Sequence, residues 1–379
     1  MGLKTYGVLL VSFSKHSHQN SFVTAFLDNP RIKIVGIADD DDVENELKLL
    51  NRKWADRLNV PYFEGISNAI QLREVDIVSI GHEIEKRADI AITAASYGKH
   101  LWIDKFIGAN RSQCLSVVEA ADNANIKTII PSYAYNDLMN QNNMLINSGQ
   151  LGELRAIHID IFFGKGIPNP IPDENKNKPF LPPGRWKFPD IKREILTIGA
   201  YAVALVQINF GPITEVYGQG GAYFFKEHAS HGADDFGTLT IIDNTGRVAT
   251  ISSGRTGIGS DGAGGPAQGF LFGTQGVGRI DGKRPGVASF MRENLTNYDY
   301  QVNPDDPMQW HSASPNFLVP TGLDFVKEAL NDFIHALDTG GKPKFTVKDA
   351  QYHMNLLLSA YESILNGSPV TLDLNEEAC

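Results

Sequence analysis

Continuous apolar runs alternate with amphipathic segments over the first third of the chain. The runs Tyr6–Val11, Ile32–Ala38 and Val75–Ile80 are typical of strands buried on both faces of a sheet. Shorter strands are predicted at His100–Ile103 and Lys127–Ile130. Helices are predicted between the strands, at Ser21–Leu27, Glu44–Leu58, Ala88–Tyr97 and Ser112–Ala124. This alternation predicts a doubly wound parallel sheet, a Rossmann-like α/β domain, over residues 1–131.

The pattern changes after about Pro131, where apolar and polar residues begin to alternate with a period of two. Leu138–Asn147 is predicted to be helical, and two amphipathic helices, whose apolar faces include Phe333 and Tyr361, end the chain. We therefore expect a second α/β domain over residues 132–379, with a large, open, mostly antiparallel sheet. Its predicted strands are Arg155–Phe163, Glu215–Phe225, Phe236–Ile242, Val248–Ser253 and Phe270–Ile280.

The turn after the first strand contains no glycine, although this turn carries three in dinucleotide-binding folds. It runs from Ser12 to Gln19. Small side chains and positive charges are still suited to a phosphate at a helix N-terminus. We therefore expect the turn to bind a cofactor, while a turn that has lost nucleotide binding remains the alternative. The residues predicted to contact the cofactor here are Ser14, Lys15, His16, Ser17 and His18.

Four aspartates, Asp39 to Asp42, follow the second predicted strand. An acidic residue at this place accepts hydrogen bonds from the adenosine ribose, so Asp39 is a further predicted cofactor residue. Four carboxylates would repel a 2′-phosphate, which favours NAD over NADP. A solvated acidic turn is the alternative interpretation.

Two other motifs predict no site. Gly257–Gly262 has the spacing of a nucleotide-binding glycine motif, but it lies between predicted antiparallel strands with no helix after it. His228 and His231, followed by Asp234 and Asp235, are residue types that bind metals. Their spacing at a strand end need not bring them together, so no metal is expected.

The segment Gly98–Phe106, GKHLWIDKF, resembles the GKHVLVEKP segment of the glucose-fructose oxidoreductase and inositol dehydrogenase (Gfo/Idh/MocA) family. Further similarities follow in the family's order. Ser148–Leu154 resembles SGxLGEI, Trp186 with Lys187 resembles WR, and Leu196–Tyr201 resembles LxDxGxH or its GxY variant. Each match is weak alone, but together they span nearly the whole chain.

The resemblance implies catalytic and binding roles for single residues. Lys105 matches the family lysine near the nicotinamide and the substrate oxygen, and Tyr201 matches the family's general acid/base. His82 and Asp104 are implied on the cofactor side. The substrate residues implied are Trp186, Lys187 and Thr197. A structural lysine and a core tyrosine are the alternatives for the two catalytic residues.

This sequence departs from the family pattern at three places. Thr197 stands where the family has an aspartate, and a hydroxyl cannot accept a proton as a carboxylate does. Phe106 replaces the proline that favours a cis peptide bond. The glycines of the first turn are missing. The sequence thus predicts either a divergent branch with its own cofactor contacts or a protein that has given up redox chemistry.

Composition narrows the function classes. A formal net charge of -10 argues against nucleic acid as the main partner. The two cysteines, Cys114 and Cys379, do not make a disulfide framework, which favours a reducing compartment. No apolar stretch predicts a membrane span or a signal peptide, so we expect a cytoplasmic protein. The resemblance implies a homodimer or homotetramer.

The sequence therefore predicts an NAD-dependent oxidoreductase acting on a secondary alcohol of a sugar, sugar acid or cyclitol. Two alternatives remain open. One is a lyase or glycoside hydrolase that retains NAD, and the other is a non-catalytic sugar-binding or regulatory protein.

Overall fold

The computed structural model describes residues 4–14, 17–40, 42–164, 168–169, 171, 186, 191–256, 267–282, 287–296, 312–318 and 324–372. The chain divides into two compact units. The first consists of Met1–Tyr135, Gly184–Trp186 and Leu323–Asn355. The second consists of Asn136–Pro183, Lys187–Gly322 and Leu356–Cys379. The first unit thus includes a C-terminal segment beyond the single stretch 1–131 that the sequence predicts for the first domain.

The first unit contains a parallel sheet of six strands in the order β3-β2-β1-β4-β5-β6. Every residue of the first strand is buried, as its apolar run predicts. The strands β1 to β6 are Tyr6–Val11, Ile32–Asp39, Tyr62–Glu64, Ile77–Ile80, His100–Ile103 and Thr128–Ile129. The helices are Gln19–Leu27, Asn45–Leu58, Ile66–Ile70, Ile84–Ser96, Arg111–Asn123, Pro131–Ala134 and Phe325–Thr339. The predicted Rossmann fold is confirmed.

Trp102 on β5 explains why a distant helix belongs to this unit. The indole is fully buried, and its ring centroid lies 5.5 Å from that of Phe22 and 5.2 Å from that of Phe26, both on the first helix. Phe333 of the helix Phe325–Thr339 packs on the same indole at 6.0 Å. The amphipathic pattern of that helix predicts its apolar face but not the sheet that this face covers.

The second unit contains a nine-stranded mixed sheet, in the order β14-β13-β12-β11-β7-β10-β9-β8-β15. Its central pair, β7 and β10, is parallel, and the other neighbours are antiparallel. The strands β7 to β15 are Leu154–Gly164, Ile213–Gly221, Phe236–Asp243, Val248–Thr256, Ala267–Gly273, Gly276–Asp281, Val287–Thr296, Ser312–Leu318 and Val370–Thr371. The predicted large, mostly antiparallel sheet is confirmed.

Four described helices belong wholly or partly to this unit, and those containing Leu145 and Ala360 contact glycines of the sheet, Gly278 and Gly218. The helices are Asp137–Asn147, Ala200–Asn209 and Lys226–His231, with the helix Val347–Asn366 divided between the units. A π-helical turn, Ile195–Gly199, leads into Ala200–Asn209. Gly237 on β9 makes room for this turn, because a Cβ there would lie 2.3 Å from Cδ1 of Ile195.

Two strand predictions were wrong in detail. The predicted segment Phe270–Ile280 is a hairpin of β11 and β12, since the turn between Gly273 and Gly276 reverses the chain. The strand predicted to end at Phe225 ends at Gly221. Beyond it, the Asp235 carboxylate accepts hydrogen bonds from the backbone N–H groups of residues 223–225 and so takes the place of a strand partner.

Candidate functional site

The turn after β1 is held by side chains rather than by glycines. Ser12 adopts a left-handed backbone conformation with φ of 60°. The backbone N–H of Phe13 donates to Oδ1 of Asn51 at 2.7 Å, and the Phe13 ring stacks on Trp54 with centroids 4.7 Å apart. The helix then begins at Gln19. A non-glycine residue at positive φ is uncommon. The contacts of the neighbouring Phe13 therefore help to hold Ser12 in this conformation.

The two serines of this turn lie against each other. The backbone N–H and the hydroxyl of Ser17 both donate to the carbonyl of Ser14, at 3.0 and 3.1 Å. Ser14 is buried and Ser17 half-buried. Lys15 and His16, also predicted to contact the cofactor, lie outside the described residues, and so does Lys187 from the predicted substrate set.

His18 is tied to Asp104 by two contacts. Its backbone N–H donates to Oδ2 of Asp104 at 2.9 Å, and its Nδ1 lies 2.9 Å from Oδ1. The Asp104 side chain is 1% exposed, whereas the His18 side chain is 42% exposed. Although burial disfavours the carboxylate, the charges of His18 and Arg87 hold the pKa of Asp104 well below its usual range. The structure thus pairs two of the predicted cofactor residues.

Arg87 is a site residue that the sequence did not predict. It is buried, and its guanidinium donates to the carbonyls of His82, Asp104, Lys105 and Phe106. Its Nη2 also lies 3.4 Å from Oδ2 of Asp104. Arg87 therefore stabilises the backbone on both sides of Lys105, including the Lys105–Phe106 peptide bond, which is cis without a proline.

Lys105 directly follows Asp104 at the carboxyl end of β5, and its backbone N–H donates to Oδ1 of Asp104 at 2.9 Å. Its side chain is half-buried. Burial, with a contribution from the Lys105 charge, lowers the pKa of His353 to about 3. The His353 ring lies 4.5 Å from that of Tyr133. A neutral, buried imidazole and a tyrosine thus belong to the surroundings of Lys105, and no sequence motif indicated either.

Three buried polar atoms near the carboxyl ends of adjacent strands lack a hydrogen bond of good geometry among the described residues, although Ser12 is close enough to Asp39 to counter part of the pKa increase that burial causes there. They are Oγ of Ser12 after β1, Oδ1 of Asp39 at the end of β2, and Nε2 of His82 after β4. Strand order reverses between β1 and β4, where doubly wound folds bind nucleotides. Ribose and phosphate oxygens would satisfy these atoms, so the residues present fit a dinucleotide.

His82 is held as a neutral hydrogen-bond donor. Burial lowers its pKa to about 4. Its Nδ1 accepts a hydrogen bond from the backbone N–H of Glu83 at 2.7 Å, which assigns the ring proton to Nε2. Oδ2 of Asp40 lies 3.9 Å from Nε2, which is too far for a hydrogen bond, so a closer oxygen acceptor would complete this nitrogen.

Asp39 is buried, and Oδ2 accepts a hydrogen bond from the Tyr62 hydroxyl at 3.4 Å. Burial raises the pKa of Asp39 to about 7. Lys86 bridges the two neighbouring carboxylates, with Nζ 3.0 Å from Asp40 and 2.9 Å from Asp42. Beside them lies a cavity of about 450 Å³ with apolar side chains in its wall. It is lined by Asp40, Asp42, Ile66, Ser67, Lys86, Asp89, Ile90 and Thr93.

Thr197 and Tyr201 lie in the second unit, on the π-helical turn and on the helix that follows it. The Thr197 hydroxyl lies 2.5 Å from the carbonyl of Arg193 and 3.0 Å from Oε2 of Glu194. Oε1 of Glu194 accepts a hydrogen bond from Nε of Arg255 at 2.9 Å. A carboxylate three residues earlier thus contacts Thr197, which stands where the family has its aspartate. Glu194 and Arg255 were not predicted from the sequence.

Trp186 is packed inside the first unit. Its indole is 2% exposed, Nε1 donates to the carbonyl of Ala109 at 2.8 Å, and its ring lies 6.2 Å from that of Phe106. At this position Trp186 packs against Phe106, the residue that follows Lys105. A substrate contact by Trp186 stays a prediction.

Within the described ranges, no group of three histidine, cysteine, aspartate or glutamate side chains is arranged to hold a metal ion. None of the described helices has both the length and the apolar character needed to cross a bilayer.

Comparisons with known proteins agree with this architecture. Residues 13–130 match the family model described as an oxidoreductase family with an NAD-binding Rossmann fold, GFO_IDH_MocA. No curated protein matches the chain in sequence.

Solved structures share the fold over nearly the whole chain. An aldose-aldose oxidoreductase from Caulobacter crescentus is 15% identical, with a TM-score of 0.73 over 97% of this chain and 100% of its own. A levoglucosan dehydrogenase in complex with NADH and L-sorbose is 14% identical, with a TM-score of 0.74 over 98% and 100%. The WlbA dehydrogenase from Bordetella pertussis, in complex with NADH and UDP-GlcNAcA, is 15% identical, with a TM-score of 0.70 over 99% of each chain.

At these identities the structural likeness concerns the fold, while the family model concerns the sequence of the first unit. The resemblance that the sequence indicates is therefore confirmed: residues 13–130 match the Gfo/Idh/MocA oxidoreductase family model, although the turn after the first strand has no glycine.

Proposed function

We propose that this protein is an NAD-dependent oxidoreductase acting on a secondary alcohol of a sugar, sugar acid or cyclitol. The observation that carries the proposal is the position of Lys105. It follows β5 directly and shares one edge of the parallel sheet with Ser12, Asp39 and His82. The names of structural neighbours, among them sugar dehydrogenases in complex with NADH, support this substrate class.

The unpaired atoms of Ser12, Asp39 and His82 support a dinucleotide as the bound cofactor. We expect Asp39 to accept hydrogen bonds from a ribose and Nε2 of His82 to donate to an oxygen. His18 is half-exposed and oriented by Asp104, and we expect it to contact a cofactor phosphate in place of the missing glycines. When bound, NAD supplies the hydride acceptor.

The substrate chemistry falls to Lys105 and Tyr201. The Lys105 ammonium donates a hydrogen bond to the reacting oxygen and stabilises negative charge as the hydroxyl loses its proton. Tyr201 carries that proton. Thr197 orients the substrate, and Lys187 remains a further substrate residue on the strength of the resemblance.

Charge favours NAD over NADP. Asp40 and Asp42 lie next to the expected ribose site, bridged by Lys86, and Asp39 adds negative charge once the pH passes its pKa of about 7. A 2′-phosphate would add two negative charges to a site with an excess of carboxylates.

The test is an assay of NADH formation with NAD and a panel of sugars, sugar acids and cyclitols, with product analysis of the same mixtures. The proposal expects NADH and an equivalent amount of ketone product with at least one substrate. Product without net NADH would instead indicate the NAD-retaining lyase or hydrolase. Ligand binding without any conversion would indicate the binding protein.

A further inference from the structure

Arg255 is anchored at the end of β10 by a buried carboxylate. Its Nε donates to Oε1 of Glu194 at 2.9 Å, and the Glu194 side chain is 3% exposed. Arg255 pairs across the sheet with Phe163 of β7, and its guanidinium carbon lies 6.0 Å from the centroid of the Phe163 ring. Two contacts thus hold the guanidinium in one orientation.

The rest of the guanidinium is available. Its two Nη atoms make no hydrogen bond within the part of the chain that the structure describes, and the side chain is 33% exposed. Glu194, by contrast, is buried: Oε1 accepts from Arg255 and lies 3.7 Å from Nε2 of His228, and Oε2 contacts the Thr197 hydroxyl. A ligand reaching this place therefore meets the donors of Arg255 and not the Glu194 carboxylate.

Thr197 connects this anchor to the helix of Tyr201. The Thr197 hydroxyl has one proton, and both close oxygens, the Arg193 carbonyl and Oε2 of Glu194, are acceptors. Glu194 therefore links Arg255 to Thr197 through one shared carboxylate.

We propose that Arg255 is a specificity-determining residue and that it binds the carboxylate of a sugar-acid substrate. A planar guanidinium with two adjacent N–H donors matches the two oxygens of one carboxylate, and this match is lost when the arginine is replaced by lysine. Glu194 acts as a positioning residue that fixes the direction of the fork. The inference rests on the proposed function, since it selects sugar acids from the substrate class given there.

The experiment measures binding and turnover separately, with NAD present, for glucuronate and gluconate against their neutral counterpart glucose. Wild-type protein is compared with Arg255→Gln and Arg255→Lys. Arg247→Gln is the matched control, because Arg247 lies at the other end of β10 and is also paired with a carboxylate, Asp243. Thermal unfolding of each variant checks that it is folded.

The inference expects at least one acid to bind more tightly than glucose to the wild type. It also expects Arg255→Gln and Arg255→Lys to bind the acid at least tenfold more weakly than the wild type, while their affinity for glucose changes by less than twofold. In Arg247→Gln, the affinities for the acid and for glucose should both stay within twofold of the wild-type values. Wild-type preference for glucose, or equal losses for acid and glucose, would overturn it. If an acid binds through Arg255 but no NADH forms, the inference stands and the proposed function fails. If neutral sugars alone are oxidised, the proposed function stands and the inference about Arg255 fails.

Discussion

His18 and Asp104 form a two-point contact in the glycine-free turn of this protein. The backbone N–H of His18 and its Nδ1 each lie 2.9 Å from a different oxygen of the Asp104 carboxylate. The carboxylate fixes the ring while leaving much of it exposed to solvent. A glycine turn offers backbone N–H groups to a phosphate, and we propose that here the oriented imidazole at the start of the helix contacts the phosphate instead.

Replacing His18 by alanine should weaken NAD binding by about tenfold or more, because a hydrogen bond to a charged group contributes about 1.5–3 kcal/mol. Calorimetry of the purified variant with NAD measures this. His335→Ala is the control, since His335 is an exposed histidine of the same unit. An unchanged dissociation constant for His18→Ala would show that the turn holds the cofactor without this side chain.

Asp104→Asn should destabilise the protein by about 3–5 kcal/mol at neutral pH, because it leaves the buried Arg87 charge without its carboxylate. The pKa of Asp104 is lowered in the folded state, so its stabilising contribution is present above pH 4 and is lost as the pH falls further. Urea unfolding measures the loss. The exposed Asp56→Asn serves as control, and a loss no larger than that of the control would argue against the ion pair.

The pKa of Asp39 predicts a pH dependence of the opposite sign. Its folded-state pKa is about 7, against an ordinary value of 3.8. Between these values the unfolded chain loses the proton and the folded protein keeps it. Asp39 therefore lowers stability progressively as pH rises toward 7, by about 4 kcal/mol in all, since each pKa unit is about 1.4 kcal/mol.

Asp39→Asn removes this titration. We expect the free energy of unfolding of the wild type, relative to this variant, to fall by about 2 kcal/mol between pH 5 and 7 and to change by less than about 0.5 kcal/mol above. Urea unfolding across this range provides the comparison. Parallel profiles for the two proteins would mean that Asp39 is ionised in the folded state throughout.

Lys105→Ala should reduce turnover by at least a hundredfold, because its ammonium is the proposed donor to the reacting oxygen. NAD binding and the unfolding temperature should change little, since Arg87 holds the adjacent backbone carbonyls through its own side chain. Steady-state rates and calorimetry separate the two effects. A variant with normal turnover would remove Lys105 from the mechanism.

The periodicity of the sequence predicts most of the architecture, and the exceptions have physical causes. Buried strands such as Tyr6–Val11 are identified because both faces are apolar. The three-residue strand Tyr62–Glu64 is too short to show a period. Phe333 packs on Trp102 although the two residues are more than 200 positions apart in the sequence. No local sequence pattern predicts such a contact.

The candidate site was predicted only where a motif identified it. Lys105, Thr197 and Tyr201 follow from segments with family spacing. Arg87, Glu194 and Arg255 belong to no motif, because their roles arise from contacts with backbone carbonyls or with side chains on other elements. Trp186 shows the opposite case, in which a motif residue is packed against Phe106 and almost fully buried.

The central claim is that a Rossmann unit without glycines in its first turn binds NAD. The most direct measurement is a calorimetric titration of the purified protein with NAD and, separately, with NADP. We predict saturable binding of NAD and clearly weaker binding of NADP. Absence of binding by either nucleotide would contradict the claim, and it would leave a non-catalytic sugar-binding protein as the better account.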